Sequence, residues 1–350
     1  MRRNLQTAVY FPFWTKIENY VERIVIRSPF RFVLIAVLTI MQPALHVIYA
    51  KNPTTQNSYT ANNQVILAIP AKIQDPFWEV VKNGARDAAK IHGLDLQIFN
   101  YSSMNLADEL HALDIVLSKP VGSLILVKYY DNNTMIESLK KYSRYSHFLQ
   151  MINSGSSIFA KSDLLGNFTG MLDYNAGLAL GKELIKFSPR RVLFISHLPL
   201  SNITTQSRLM GIQSSLSGKA DVETLFLANE DEALAQLNEG LDNFKEIDTV
   251  VFLGPVSFQY FVKATKSIPF WQQKTLTTFD LTKQIADYML AGKVKVAIDQ
   301  QPYLQGFYAV TNAALWNKYM VRPMGPIMTG PQVITPSIIP SIYNEIGTTR

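Results

Sequence analysis

Hydrophobic positions from Gln64 onward alternate between two periods. Short apolar runs have the length of buried strands, and apolar residues recur at helical spacing between them. The predicted strands are 65–69, 94–99, 123–127, 191–195, 249–253 and 275–279. The predicted helices are 77–92, closed by Gly93 at a C-cap position, 106–117 and 176–186. Such alternation favours right-handed crossovers and parallel sheets covered on both faces, and its restart after 176–186 predicts two similar α/β lobes.

The first fifty residues have the pattern of a secretory signal. Three arginines within 23–31 precede the largely apolar stretch 32–50, and a basic flank before an apolar stretch is typical of such signals. We expect cleavage after Ala50. The alternatives are a retained membrane anchor, only just long enough to span, and a buried core helix. Residues 51–63, rich in Asn and Thr, are predicted to form a linker.

Composition indicates a globular protein and restricts its chemistry. The chain has 350 residues, 47% hydrophobic and 17% charged, which suffices for about two domains. It has no cysteine, which excludes disulfides, thiolate metal sites and cysteine nucleophiles. Residues 1–50 hold six Lys or Arg and two Asp or Glu, so 27 basic and 25 acidic residues remain, a net charge of +2. The basic character belongs mainly to the leader and does not indicate a nucleic-acid partner.

Two segments carry the residue types that a sugar site needs. In 74–78, Asp75 stands beside Phe77 and Trp78, and a pyranose ring has polar edges and apolar C–H faces that suit this pairing. The segment 298–307 places amides before a proline-fixed turn and then a glycine that permits close helix packing. Ligands of parallel sheets bind beyond the carboxyl ends of strands. The polar residues expected there are Asp75, Asp131, Asp280 and Gln300.

Several motifs, in their order and spacing, resemble type I periplasmic sugar-binding proteins, the ribose and galactose group that serves ABC importers. The resemblance covers about residues 64–345. The motifs are Asp75-Pro76-Phe77-Trp78, Asn83-Gly84-Ala85, Pro120-Val121-Gly122, Asp299-Gln300-Gln301-Pro302 and Thr329-Gly330-Pro331. The resemblance implies a hinge, with a ligand cleft between the two lobes. The implied N-terminal lobe is 64–172 plus 301–328 and the C-terminal lobe is 173–300 plus 329–345, with crossovers near Asp173, Gln300 and Thr329.

The resemblance also implies a set of ligand-binding residues: Asp75, Phe77, Trp78, Asp131, Arg208, Asp280 and Gln300. The two rings would stack on the ligand, and Arg208 would offer its planar donor fork. The alternatives are that one ring belongs to the core, that Asp131 caps a helix, that Arg208 is solvated, and that Asp280 and Gln300 serve capping or the hinge.

One segment departs from the family pattern. Gly254-Pro255-Val256-Ser257 stands where the family offers an asparagine and an acidic residue. Pro255 has no backbone N–H to donate, so an amide contact to the ligand is expected to be missing. Ser257 and Gln259 are candidate substitutes. The identity of the sugar, and whether the ligand is a sugar, stays open.

The function implied by the resemblance is capture of a small sugar or sugar-like ligand by hinge closure for an ABC importer. The alternative is a periplasmic sensory receptor that reports a ligand to a membrane histidine kinase. The implied partners are a carbohydrate-like small molecule and a membrane permease or sensor kinase, and we expect a periplasmic monomer.

The sequence lacks GxGxxG, GxxxxGK[ST], GxSxG and HExxH motifs, so no enzyme activity, cofactor or metal is predicted. A repressor would need a helix-turn-helix before residue 64, where the apolar leader lies.

Overall fold

The computed structural model describes residues 63–350, except 71–74, 103–104, 119–120, 131–132, 143–145, 162–164 and 240. The predicted signal segment and nearly all of the predicted linker lie outside the described residues. Residues 61–350 cluster as one compact unit. Within the described part of the chain, no helix combines the length and the apolar character that a membrane crossing requires.

Six parallel strands form the sheet of the first lobe. They are β1 (Gln64–Ile69), β2 (Asp95–Asn100), β3 (Val121–Leu126), β4 (Ser146–Asn153), β5 (Asn167–Gly170) and β11 (Ile327–Met328). Their order is β11-β5-β4-β3-β1-β2. The helices of this part are α1 (Pro76–His92), α2 (Leu106–Leu117), α3 (Asn133–Tyr142), α4 (Ser156–Lys161) and α11 (Pro302–Tyr319). Gly93 ends α1 in the left-handed conformation, with φ 68° and its N–H on the carbonyl of Ala89, so the predicted C-cap is confirmed.

A second six-stranded sheet follows in the chain. Its strands are β6 (Arg191–Ser196), β7 (Asp221–Phe226), β8 (Thr249–Phe252), β9 (Thr275–Phe279), β10 (Val294–Asp299) and β12 (Gln332–Ile334), in the order β12-β10-β9-β8-β6-β7. Its helices are α5 (Asp173–Ile185), α6 (Ile203–Leu216), α7 (Glu230–Leu234), α8 (Pro255–Thr265), α9 (Pro269–Gln272), α10 (Lys283–Leu290) and α12 (Ile339–Ile342). The short strand β12 pairs antiparallel with β10, whereas the other pairs are parallel. The predicted two-lobe α/β fold is confirmed.

The central strands are apolar because both faces of each sheet are covered. Every residue of β3 and of β8 is buried, as expected for parallel strands between two helical layers. The edge strand β2 instead alternates exposed and half-buried residues along most of its length. The uninterrupted apolar runs in the sequence therefore correspond to the centres of the two sheets.

Glycines let two pairs of helices cross at very short range. A Cβ atom on Gly84 of α1 would lie 2.0 Å from the carbonyl oxygen of Tyr303, and one on Gly306 of α11 would lie 2.0 Å from that of Val81. No side chain fits at either position. The prediction that Gly306 permits close helix packing is confirmed. In the second lobe, Gly211 of α6 meets α5 in the same way.

The chain passes between the two sheets at three adjacent points. The N–H of Thr329 donates to the carbonyl of Gly170 at 2.8 Å, and Nε2 of Gln301 donates to the carbonyl of Thr329 at 2.8 Å. Gly330 packs against Asp299, since a Cβ there would lie 2.9 Å from the Asp299 carbonyl oxygen. These crossovers connect the lobes through a small set of backbone and amide contacts.

Candidate ligand-binding cleft

A narrow cavity lies where the carboxyl ends of the two sheets face each other. Five of the predicted site residues line it: Asp75, Phe77, Arg208, Asp280 and Gln300. The space open to the centres of water molecules is about 30 Å³, enough for only a few waters. The lobes touch directly beside it, because the N–H of Ile203 donates to the carbonyl of Tyr129 at 2.7 Å. The cleft is thus nearly closed in this conformation.

Asp75 serves as the N-cap of α1 and also lines the cavity. Its Oδ1 accepts a hydrogen bond from the N–H of Phe77 at 3.0 Å, the usual contact of an N-cap carboxylate. Burial raises the pKa of Asp75 to about 6, although the Phe77 hydrogen bond and Arg208 act in the opposite direction. Its Oδ2 makes no hydrogen bond to the described residues and is free to bind a ligand.

The two neighbouring aromatic rings occupy different places. Both rings are buried in the same hydrophobic core, with Phe77 6% and Trp78 2% exposed, but only Phe77 also lines the cavity. The rings meet edge to face, with their centroids 4.9 Å apart. Trp78 therefore supports Phe77 in this conformation. The predicted ligand contact of Trp78 stays a prediction.

The guanidinium of Arg208 is held on several sides. Nε donates to Oδ1 of Asp173 at 2.9 Å, and Nη1 donates to the carbonyl of Leu253 at 2.8 Å. The group also lies 4.5 Å from the ring centroid of Phe279. Arg208 is 3% exposed, which excludes the alternative of a solvated helix arginine. Its Nη2 makes no hydrogen bond to the described residues, so one edge of the donor fork remains for a ligand.

A chain of side-chain hydrogen bonds joins the two lobes across the cleft. Nε2 of Gln300 donates to both carboxylate oxygens of Asp280 at 2.9 Å, and Nδ2 of Asn153 donates to Oε1 of Gln300 at 3.1 Å. Asn153 ends β4 of the first sheet and Asp280 follows β9 of the second. Burial raises the pKa of Asp280 to about 7, while Arg208 and Gln300 act to lower it. In this conformation the side-chain amide of Gln300 therefore forms hydrogen bonds with residues of both lobes.

Three residues at this edge of the sheets have positive φ angles. They are Asn153 and Asp280, both at 63°, and Gln301 at 55°. Few residues other than glycine adopt this left-handed region, and those that do concentrate at functional sites. The backbone therefore turns sharply where polar side chains must be directed into the cavity.

The remaining predicted residues do not reach the cavity or cannot be placed. Asp131 lies outside the described residues. The Ser257 hydroxyl accepts from the N–H of Gly254 at 3.3 Å and donates to its carbonyl at 2.9 Å, and Gln259 does not line the cavity. Neither predicted substitute for the missing amide contact is therefore available here.

Four polar residues that line the cavity were not predicted from the sequence: Tyr129, Asn153, His197 and Thr204. Two of them, Asn153 and His197, have a position like that of Asp280. Both stand at the carboxyl end of a parallel strand, β4 and β6 respectively. The apolar run before Asn153 was not recognised as a strand, and histidines were considered only for metal-ligand spacing. In the described part of the chain, no cluster of His, Cys, Asp or Glu could hold a metal ion.

A model of the periplasmic binding protein domain matches residues 66–316. This chain belongs to the periplasmic binding protein family. No curated protein matches the sequence significantly. The fold is the type I form of the family, with two lobes around one cleft.

Solved structures with this fold resemble this periplasmic binding protein over most of its length. A carbohydrate transporter from Acidothermus cellulolyticus in complex with myo-inositol is 20% identical, with a TM-score of 0.72 over 80% of this chain and 96% of that one. A solute-binding protein of an ABC transporter from Burkholderia graminis in complex with D-arabinose is 17% identical, with 0.69 over 79% and 96%. The XylFII–LytSN complex is 18% identical, with 0.67 over 78% and 98%. At identities this low, the similarity shows a shared fold only.

Proposed function

We propose that this periplasmic binding protein captures a small, uncharged sugar or polyol by hinge closure and delivers it to an ABC importer. The supporting observation is the meeting of Asp75, Arg208 and Asp280, from both lobes, beside the ring of Phe77 in one cavity. Carboxylates accept hydrogen bonds from hydroxyls, the guanidinium donates to hydroxyl or ring oxygens, and the aromatic face suits C–H groups.

The charges around the cavity favour an uncharged ligand over an anion. Arg208 is already paired with Asp173 and lies 4.0 Å from Asp280. Arg208 is the only arginine or lysine among the described residues that line the cavity, so a ligand carboxylate or phosphate would meet Asp75 and Asp280 with no unpaired cation from these residues to balance it. Hydroxyl groups can instead both donate to and accept from these carboxyl groups, whichever protonation state each has.

Binding requires the cleft to open. The cavity has room for a few waters only, so a sugar ring enters when the lobes move apart at the three crossovers. A ligand then favours the closed form through contacts that it makes only there. The chain catalyses no reaction in this proposal, because capture and release are its whole cycle.

The proposal is tested with a thermal-shift screen followed by calorimetry. The panel contains pentoses, hexoses, inositols, their phosphates and amino acids. We expect stabilisation by one or more uncharged polyols and weaker or no stabilisation by the phosphates. Phe77→Ala should abolish the shift, while Phe187→Ala, at an exposed site, should leave it unchanged. Stabilisation by charged or non-sugar compounds alone would contradict the proposal.

A sensory receptor is the second candidate function. One similar structure, XylFII, was solved together with a second protein, LytSN, which supports docking to a protein partner as a use of this fold. The two functions differ in what deletion of the gene removes. Loss of uptake of the radiolabelled polyol supports the importer. Unchanged uptake with loss of polyol-dependent transcription supports the sensor.

We further propose that the N-terminal segment directs export and that the mature protein is a periplasmic monomer. The family match supports the location. The mass of the protein purified from the periplasm tests cleavage after Ala50, and light scattering tests the monomer. A full-length mass in the membrane fraction would support the anchor instead.

A further inference from the structure

His197 directly follows strand β6, at the edge of the second sheet that borders the cleft. The Ser196 hydroxyl accepts a hydrogen bond from the N–H of Leu198 at 3.0 Å and so fixes the turn after the strand. The side chain lines the cavity with Arg208 and Asp280. It is 9% exposed, so its imidazole is largely withdrawn from water.

The imidazole has an unused polar atom. Nδ1 of His197 is buried and has no hydrogen-bond partner among the described residues. Buried polar atoms are nearly always paired, and an exception needs an explanation. Because His197 lines the cavity, a partner that arrives with the ligand would explain the unpaired atom.

The neighbouring segment provides no competing polar side chain. A Cβ on Gly254 would lie 3.9 Å from Cε1 of His197 and 3.8 Å from Oδ2 of Asp280. Gly254 thus leaves the wall open beside the imidazole. Pro255 has no N–H, and Ser257 is turned back onto Gly254. At the place where the resemblance implies an asparagine and an acidic contact, the structure offers His197.

The imidazole is uncharged at physiological pH. Burial, assisted by the positive charge of Arg208, lowers the pKa of His197 to about 3. A neutral imidazole has one nitrogen that donates and one that accepts. A hydroxyl group can satisfy either nitrogen, whereas a carboxylate can only accept.

We propose that His197 is a specificity-determining residue, whose ring binds one hydroxyl of an uncharged polyol and so replaces the contact that Gly254 and Pro255 lack. This proposal rests on the proposed function, since it names one contact within the same site. It predicts that a polyol lacking that single hydroxyl is discriminated against through His197.

The test measures Kd by calorimetry for D-ribose, D-arabinose, D-galactose and myo-inositol, each with its mono-deoxy analogues. In the wild type, one deoxy position should weaken binding about 5- to 150-fold, the range expected for leaving a buried polar group unpaired. In His197→Leu, the Kd of that deoxy analogue divided by the Kd of its parent compound should fall to about one. The same ratio for the other deoxy positions should stay as in the wild type. His197→Asn, which keeps a polar atom near Nδ1, should retain part of the discrimination. His111→Leu, at an exposed histidine on α2, is the matched control.

A second readout does not depend on the fold of the leucine variant. In the wild type with ¹⁵N-labelled histidine, titration with the best-binding polyol should shift the ring nitrogen resonance that is absent from His197→Asn. Unchanged resonances, or unchanged ratios in His197→Leu, overturn the role of His197 and leave the proposed function standing. If the wild type binds none of the four compounds or any other polyol of the panel, the proposed function itself fails.

Discussion

Arg208 shows how one side chain in the wall of the cavity is fixed by its neighbours. Asp173, the carbonyl of Leu253 and the ring of Phe279 hold its guanidinium on three sides. Because these contacts already order the side chain, a ligand that bound to it would cause little further loss of side-chain entropy. Burial raises the pKa of Asp173, whereas the charge of Arg208 and the hydrogen bonds from Arg208 and Thr204 act to lower it.

Arg208→Lys should weaken polyol binding about tenfold or more while leaving the charge unchanged. Lysine has no planar fork and cannot contact Asp173, Leu253 and a ligand together. The measurement is calorimetry with the best polyol of the screen. Arg190→Lys, at a highly exposed arginine, should bind as the wild type does. Equal affinity of both variants would exclude a direct role for the Arg208 fork.

Asp280 should make the stability of the unliganded protein depend on pH. Its pKa is about 7 in the folded protein, above the ordinary value of about 4 in the unfolded chain. The unfolded carboxyl ionises first, so this group's stabilising contribution is complete below about pH 4 and is lost as pH rises through about 7. Asp75, with a pKa of about 6, acts in the same direction.

Asp280→Asn should therefore reduce the loss of unfolding free energy between pH 4 and pH 7.5 by at least about 1 kcal/mol. Urea denaturation at several pH values measures it. Asp221→Asn, at an exposed residue of β7, should keep the wild-type slope. A slope that Asp280→Asn leaves unchanged would mean that Asp280 titrates normally.

At the scale of elements, the crossing of α1 and α11 positions both sides of the cleft. Helix α1 begins next to Asp75 and α11 begins two residues after Gln300. The glycines at their crossing bring backbone against backbone. The distance between these helices thus sets where two ligand-facing segments lie.

Gly306→Ala should lower the free energy of unfolding by about 1 to 3 kcal/mol and also weaken ligand binding. The added methyl group overlaps the Val81 carbonyl and forces the helices apart, which is the usual effect of overpacking. Urea denaturation and calorimetry measure the two effects. Gly325→Ala, where a Cβ meets nothing within 4 Å, is the control. Wild-type stability of Gly306→Ala would contradict the close crossing.

At the scale of the whole molecule, hydrogen bonds among the described residues join the two lobes beside the cleft. The Asn153–Gln300–Asp280 chain and the Ile203–Tyr129 backbone hydrogen bond are prominent among them. In the proposed hinge closure, a ligand replaces such contacts with its own. The balance between the proposed open and closed forms then depends on hydrogen bonds of this kind, each worth about 0.5 to 1.5 kcal/mol.

Gln300→Ala should shift the unliganded protein toward an open form. All three hydrogen bonds of the Gln300 side-chain amide, two to Asp280 and one from Asn153, disappear, and a few kcal/mol decides such equilibria. Small-angle X-ray scattering should show a larger radius of gyration than for the wild type, and saturating polyol should reduce the difference. Gln272→Ala, at an exposed glutamine of α9, should scatter as the wild type does. Identical curves for Gln300→Ala would show that closure does not depend on this residue.

The sequence by itself determined the two α/β lobes, because apolar runs and helical spacing report burial that is nearly uniform along each central strand. It also placed Asp75 and Asp280 after strands, whereas Arg208 was implied only by the family resemblance, and the cavity contains all three. Turn and cap chemistry is local, which is why Gly93 was predicted from its position alone.

The tertiary structure alone decided how these residues meet. It placed both Phe77 and Trp78 in the hydrophobic core, yet it brought only Phe77 to the wall of the cavity. It turned Ser257 away from the cavity and brought His197 beside Gly254. Contacts of this kind join residues far apart in the chain, and their distances depend on the packing of whole helices and sheets. No local pattern encodes them, so only the folded molecule shows which polar side chains line the cavity.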